Sequence, residues 1–145
     1  MQKSWKKIAL FSAWVLVTFA PLAKADVVAM TILAEARGEG EVGMRAVACV
    51  IAQRAQERRQ TPRQVCLARF QFSCWNNKGP EDLQHLMRLP QASYAKRLSR
   101  DLARLDRSLV GEANHYHATW MRKKPYWAKG RQPTKVIGRH AFYRL

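Results

Sequence analysis

Val27-Val28-Ala29-Met30-Thr31-Ile32-Leu33 runs without a charge into Ala34-Glu35-Ala36-Arg37-Gly38-Glu39-Gly40. The second half of this stretch holds two glutamates four residues apart, an arginine between them and two glycines. A carboxylate that follows such an apolar run sits beside the core, at the end of a helix that stops near Gly38. Burial against apolar neighbours disfavours the charged carboxylate and raises its pKa. A carboxyl that keeps its proton at neutral pH serves as a general acid. The plainer account of the same residues is a helix end with a solvated Glu-x-x-x-Glu face and a glycine cap. The residues on either side decide between the two.

Ahead of the stretch, Lys3, Lys6 and Lys7 make a basic start, and Ile8 to Phe19 is an apolar run of 12 residues. Pro21 and the small-x-small pattern Ala23-Lys24-Ala25 follow. These are the parts of a secretory signal, so residues 1–25 are read as a signal peptide and 26–145 as one domain. The apolar run is shorter than the roughly 20 residues of a membrane span; an uncleaved anchor is the rival reading. The first 25 residues hold four of the chain's 26 basic residues and none of its 10 acidic ones, leaving 22 against 10, or +12, on the rest. Such a balance favours polyanionic partners. For an exported protein in the periplasm or cell envelope these are anionic peptidoglycan and envelope polymers rather than nucleic acid. Plain solubility is the bland account of the same charge.

Three cysteines are present: Cys49, Cys66 and Cys74. Export permits a disulfide, and Cys66 with Cys74, across a bend, is the preferred pair. Cys49 sits in an apolar helical pattern and reads as a small buried residue. With no Cys-x-x-Cys and no His-x-x-x-His, no metal site and no cofactor are expected.

Downstream, Asp26 caps a helix to about Arg37, and Gly38 to Glu41 forms a turn. Val42, Ala46, Val47, Val50 and Ile51 predict a second helix to about Arg58. Thr61-Pro62 starts a third, ending near Ala68. Phe70-Gln71-Phe72-Ser73-Cys74-Trp75 suits core packing or a sugar platform equally well. Pro90 separates a short helical piece, Glu81 to Leu89, from a longer one that carries an apolar stripe from Tyr94 to Leu105 and runs to about Leu109. Ala113 to Thr119 is strand-like, Pro125-Tyr126-Trp127 lies in a basic loop, and residues 135–143 suggest a strand pair bent at Gly138. The expected fold is α+β and mainly helical, with a small C-terminal antiparallel sheet.

Several of these motifs recur together elsewhere. Thr31-Ile32-Leu33-Ala34-Glu35-Ala36-Arg37-Gly38-Glu39, then Gly43 to Ile51 with Arg54, then Val65-Cys66 and Gln71-Phe72-Ser73-Cys74 appear in order. His115-Tyr116-His117-Ala118, Pro125-Tyr126-Trp127-Ala128 and Ile137 to Arg144 complete the set. In this ordered set the chain resembles the SleB/CwlJ cell-wall hydrolases, known from spore-cortex-lytic enzymes and from bacterial and phage proteins.

That resemblance implies a lysozyme-like domain that cuts peptidoglycan between N-acetylmuramic acid and N-acetylglucosamine, in the manner of a lytic transglycosylase. It makes Glu35, the first glutamate of Glu-Ala-Arg-Gly-Glu, the catalytic residue. The chemistry needs an acid for the leaving oxygen. When the muramyl 6-hydroxyl attacks, the same carboxyl takes a proton back and no carboxylate nucleophile is required. Glu39, on a glycine-flanked turn, is an auxiliary candidate. Gln71 and Ser73 are candidates for N-acetyl groups, with Phe72 or Trp75 stacking on a sugar. His115, Tyr116 and His117 are candidates from the sheet. Alternation puts both histidines on one face and Tyr116 on the other, and which face meets Glu35 stays open. Trp127 reads as packing and His140 as structural. The chain is read as a monomer acting on glycan strands. The competing readings are a non-catalytic cationic wall-binding protein and a cationic membrane or nucleic-acid binder.

Overall fold

A computed structural model describes residues 25–145, so the signal-peptide expectation for residues 1–25 falls almost wholly outside the described residues. Helix α1 spans Val27–Ala36, and its cap forms as expected: Asp26 Oδ1 accepts from the Ala29 amide at 2.9 Å. Every residue from Val27 to Leu33 is buried. A helix apolar all round must be covered all round, and α1 packs against α2 (Gly40–Arg58), α3 (Pro62–Leu67) and α5 (Ala92–Asp101). Helix α2 ends on Arg59, whose left-handed backbone lets its amide reach back to Ala55 and Gln56. Helix α3 opens on a reciprocal cap: Thr61 Oγ1 accepts from the Gln64 amide, and Gln64 Oε1 accepts from the Thr61 amide.

Two expected helices are shorter than the apolar pattern predicts. The piece after Pro80 is one α-turn, α4 (Pro80–Leu83), continued as 3-10 turns to Arg88. The helix expected to reach Leu109 stops at Asp101. Leu105 is extended there, and Asp106 caps a new 3-10 turn by accepting from the Ser108 amide at 3.0 Å. A carboxylate that bonds its own downstream backbone competes with helix continuation. The apolar residues keep their helix-like spacing, because Leu102 and Val110 still enter the core.

The sheet is three-stranded and antiparallel, in the order β1-β3-β2, with β1 at His115–Ala118, β2 at Lys135–Ile137 and β3 at His140–Tyr143. Tyr116 pairs with Phe142 and His117 with Ala141. The β2–β3 turn bends at Gly138, where φ is +55°. Helix α2 lies between the two halves of the core: Met44, Val47, Ala48 and Ile51 pack toward α1, and Ala46, Cys49 and Val50 pack toward Val110 and Phe142. Tyr116 touches both clusters. The architecture is therefore the expected mainly helical α+β fold, with the sheet seated against α2 so that one face of β1 looks toward the end of α1.

Candidate active site

Glu35 is the penultimate residue of α1, and the burial of Val27 through Leu33 leaves that helix no freedom to shift. Its side chain is half-buried. The Tyr116 hydroxyl donates to Glu35 Oε2 at 2.8 Å, across 81 residues of sequence. The Cys74 thiol lies near the same carboxylate. Burial, reinforced by the charge of Glu35, pushes the Tyr116 hydroxyl well above the usual phenol range, so it stays a donor. Burial and Glu35 likewise raise the Cys74 thiol. One neutral donor, the Tyr116 hydroxyl, thus fixes the direction of the carboxylate.

Strand alternation settles which face of β1 meets Glu35. Tyr116 shares the inner face with Phe142 and His140, at ring separations of 5.6 and 5.0 Å. His115 and His117 lie on the outer face under Trp127, at 5.0 and 5.9 Å. His117 also stacks on Tyr143 and pairs its Nε2 with the Tyr143 hydroxyl at 3.2 Å. The two histidines and Trp127 therefore build a packed outer layer on the side of the sheet away from Glu35. Burial, with the charges of Arg54 and Arg58, lowers the pKa of His115. His140 is buried beside Tyr116, and its Nδ1 has no partner. Burial lowers its pKa against the pull of Glu39 and Glu35, which keeps the ring neutral at pH 7.

Glu39 is committed elsewhere. Its Oε2 accepts from the Arg139 amide at 2.9 Å and its Oε1 from Arg139 Nε at 2.8 Å. The Arg139 amide, more than its guanidinium, holds the Glu39 carboxyl below its ordinary range. A side chain at Gly138 would bring its Cβ within 2.3 Å of Glu39 Oε2, so only glycine admits this contact. Glu39 clamps the β2–β3 turn to the end of α1 rather than standing free beside Glu35.

The aromatic stretch resolves toward packing. Phe72 is buried under the Arg54 guanidinium, whose Cζ lies 5.1 Å from the ring centroid. Trp75 is buried and donates from Nε1 to Thr31 Oγ1 at 2.9 Å. Neither ring offers an open face for a sugar, which corrects that expectation for Phe72 and Trp75. Gln71 Oε1 accepts from Arg58 Nη1 at 2.8 Å, and Ser73 is exposed. The expected Cys66–Cys74 disulfide is absent: all three cysteines are free thiols. Cys66 is turned into the core toward Thr31, where burial pushes its thiol up to about 12, while Cys74 faces Glu35. Two cavities of about 470 and 350 Å³ share no lining residue with Glu35, Tyr116, Cys74 or His140.

Sequence reasoning missed the Cys74 contact, the Arg139 clamp and the role of Arg54. Arg54 is buried in α2, donates from Nε to the Asn114 carbonyl at 2.6 Å and reaches the Gln71 carbonyl from Nη1 at 3.5 Å. A lone arginine after an apolar helical run, Ala46 to Ala52, was the available signal. Among known families, one described as Cell Wall Hydrolase matches residues 38–143. The matched span begins three residues after Glu35 and includes Cys74, Tyr116 and His140. No curated protein and no solved structure matches the chain.

Proposed function

The chain belongs to the cell wall hydrolase family, whose members act on peptidoglycan, and from that premise we propose that it is an exported or periplasmic glycosidase with Glu35 as its acid and base. Glu35 protonates the oxygen leaving from the bond between N-acetylmuramic acid and N-acetylglucosamine. The muramyl 6-hydroxyl attacks the anomeric carbon and passes its proton to the Glu35 carboxylate, closing an anhydro ring. Water in place of that hydroxyl gives hydrolysis from the same carboxyl.

The observation that carries this reading is the 2.8 Å hydrogen bond from Tyr116 to Glu35 Oε2. It comes from a half-buried, protonated phenol and leaves the other carboxylate oxygen for a substrate. The single-carboxylate scheme is favoured because Glu39 is bound to Arg139 and Glu41 is exposed. A donor that orients the carboxylate before substrate arrives lowers the reorganisation needed during reaction.

Glu35→Gln keeps the shape of the side chain and removes its proton. Lytic activity of that variant on purified sacculi is expected to fall by about 10²-fold or more. Full activity would end the assignment. Mass spectrometry of the wild-type products separates the two outcomes, since anhydro ends are lighter than hydrolysed ends by one water.

A further inference from the structure

The segment between β1 and β2, residues 119–134, carries side chains that the reaction centre does not use. Trp127 and Ala128 tie it down: Trp127 packs edge-on against Tyr143 at 5.4 Å and Ala128 is buried. Two other aromatic residues in the same segment point away. Trp120 is 71 % exposed and Tyr126 is 85 % exposed. Arg122, Lys123 and Lys124 lie between them, and Lys129 and Arg131 follow, all exposed. The segment contains no acidic residue. Among the described residues the ion pairs are Arg104–Asp101, Arg139–Glu39 and Arg144–Glu57, so these five cations hold no carboxylate. Single exposed apolar residues are ordinary on a protein surface; two open aromatic faces interleaved with free cations on one anchored segment are not.

The segment starts beside the reaction centre. The Thr119 amide donates to the Arg139 carbonyl at 2.8 Å, and Arg139 is the residue clamped by Glu39 at the end of α1. Trp120 therefore follows directly on the junction that joins the sheet to the helix bearing Glu35.

We propose that residues 119–134 form a second binding surface for the peptidoglycan strand, with Trp120 and Tyr126 stacking on sugar rings and the cations pairing with stem-peptide carboxylates. The assignment rests on the reading of the chain as a peptidoglycan enzyme. One polymer carries both features that the surface complements, pyranose faces and regularly spaced carboxylates. A phospholipid surface offers the anions without the rings.

The test is cosedimentation of the purified chain with insoluble sacculi, using wild type, Trp120→Ala/Tyr126→Ala and Lys123→Glu/Lys124→Glu. Each variant is expected to bind about tenfold more weakly or worse. Wild-type affinity is expected to fall as salt rises, because exposed charges are screened. The substituted side chains are exposed, so a thermal melt matching wild type shows that each variant is folded, and two chemically different variants guard against one that is not. Unchanged binding in both variants overturns the proposal. So does a result in which vesicles of phosphatidylglycerol and phosphatidylethanolamine capture wild type and lose the variants while sacculus binding stays intact. Binding is read without turnover, and Glu35→Gln is expected to sediment like wild type. A failure of the Glu35 assignment therefore leaves this result readable, and the reverse also holds.

Discussion

At the scale of single residues, the proposed site is one carboxylate and the tyrosine that aims it. Tyr116 supplies both a hydroxyl donor and a ring that fills the space between the two core clusters. Tyr116→Phe separates those tasks, since it keeps the ring and removes the donor. A hydrogen bond to a charged partner is worth about 1.5–3 kcal/mol, so turnover on sacculi is expected to fall by about 10- to 100-fold. The melting temperature is expected to change little, because the ring still packs. A fall in stability that matched the loss of turnover would make Tyr116 a packing residue only. Cys74 belongs to the same scale. Its spacing from Cys66 across a bend suggested a disulfide, and the fold instead leaves its thiol free and near Glu35. Trp75 shows the converse: its indole is spent on Thr31 within the core, so an aromatic in a promising motif packs rather than binds.

Among the elements, the decisive joint is between the end of α1 and the β2–β3 turn. Glu39 receives the Arg139 amide and guanidinium across 100 residues of sequence. Because the Arg139 amide holds the folded carboxyl below its ordinary value of 4.5, the clamp stabilises the fold fully above that pH. Its contribution shrinks as pH falls below 4.5 and is gone once pH passes the lower folded value. Urea unfolding of wild type and Glu39→Gln across pH 3 to 7 is expected to show a difference in stability near neutrality that narrows on the acid side. A difference that stays constant with pH would mean that the clamp is not ionic. The alternation of β1 was legible beforehand, as was the bend at Gly138. The partner of each face was not, because alternation says which residues share a face and nothing of what covers it. Helix ends were the least legible feature: α5 stops at Asp101 although the apolar stripe continues past it, and Asp106 opens a separate 3-10 turn by a local bond to Ser108.

For the whole molecule, the helical half and the sheet meet through Arg54. Its guanidinium joins α2 to the Asn114 carbonyl just ahead of β1 and to the Gln71 carbonyl in the loop that carries Cys74. Burial lowers its pKa, the charge being kept by the carbonyls it serves. Arg54→Leu removes these donors and leaves buried carbonyls unpaired. It is expected to cost about 2–4 kcal/mol of stability in urea unfolding, with loss of activity because Cys74 and Tyr116 are both held from this joint. Stability within about 0.5 kcal/mol of wild type would show that the two halves dock without it.

The sequence by itself determined that α1 is a buried helix ending in a carboxylate, that helices precede a small antiparallel sheet, and that the chain carries an excess of cations. These properties follow from local spacing and composition, which act over a few residues and need no knowledge of the rest of the chain. The tertiary structure alone decided that Tyr116 and Cys74, rather than the histidines, face Glu35, that Glu39 is occupied by Arg139, and that Phe72 and Trp75 lie inside. Each of those outcomes depends on which surfaces meet across long stretches of sequence, and the packing of α2 between helices and sheet sets which ones do.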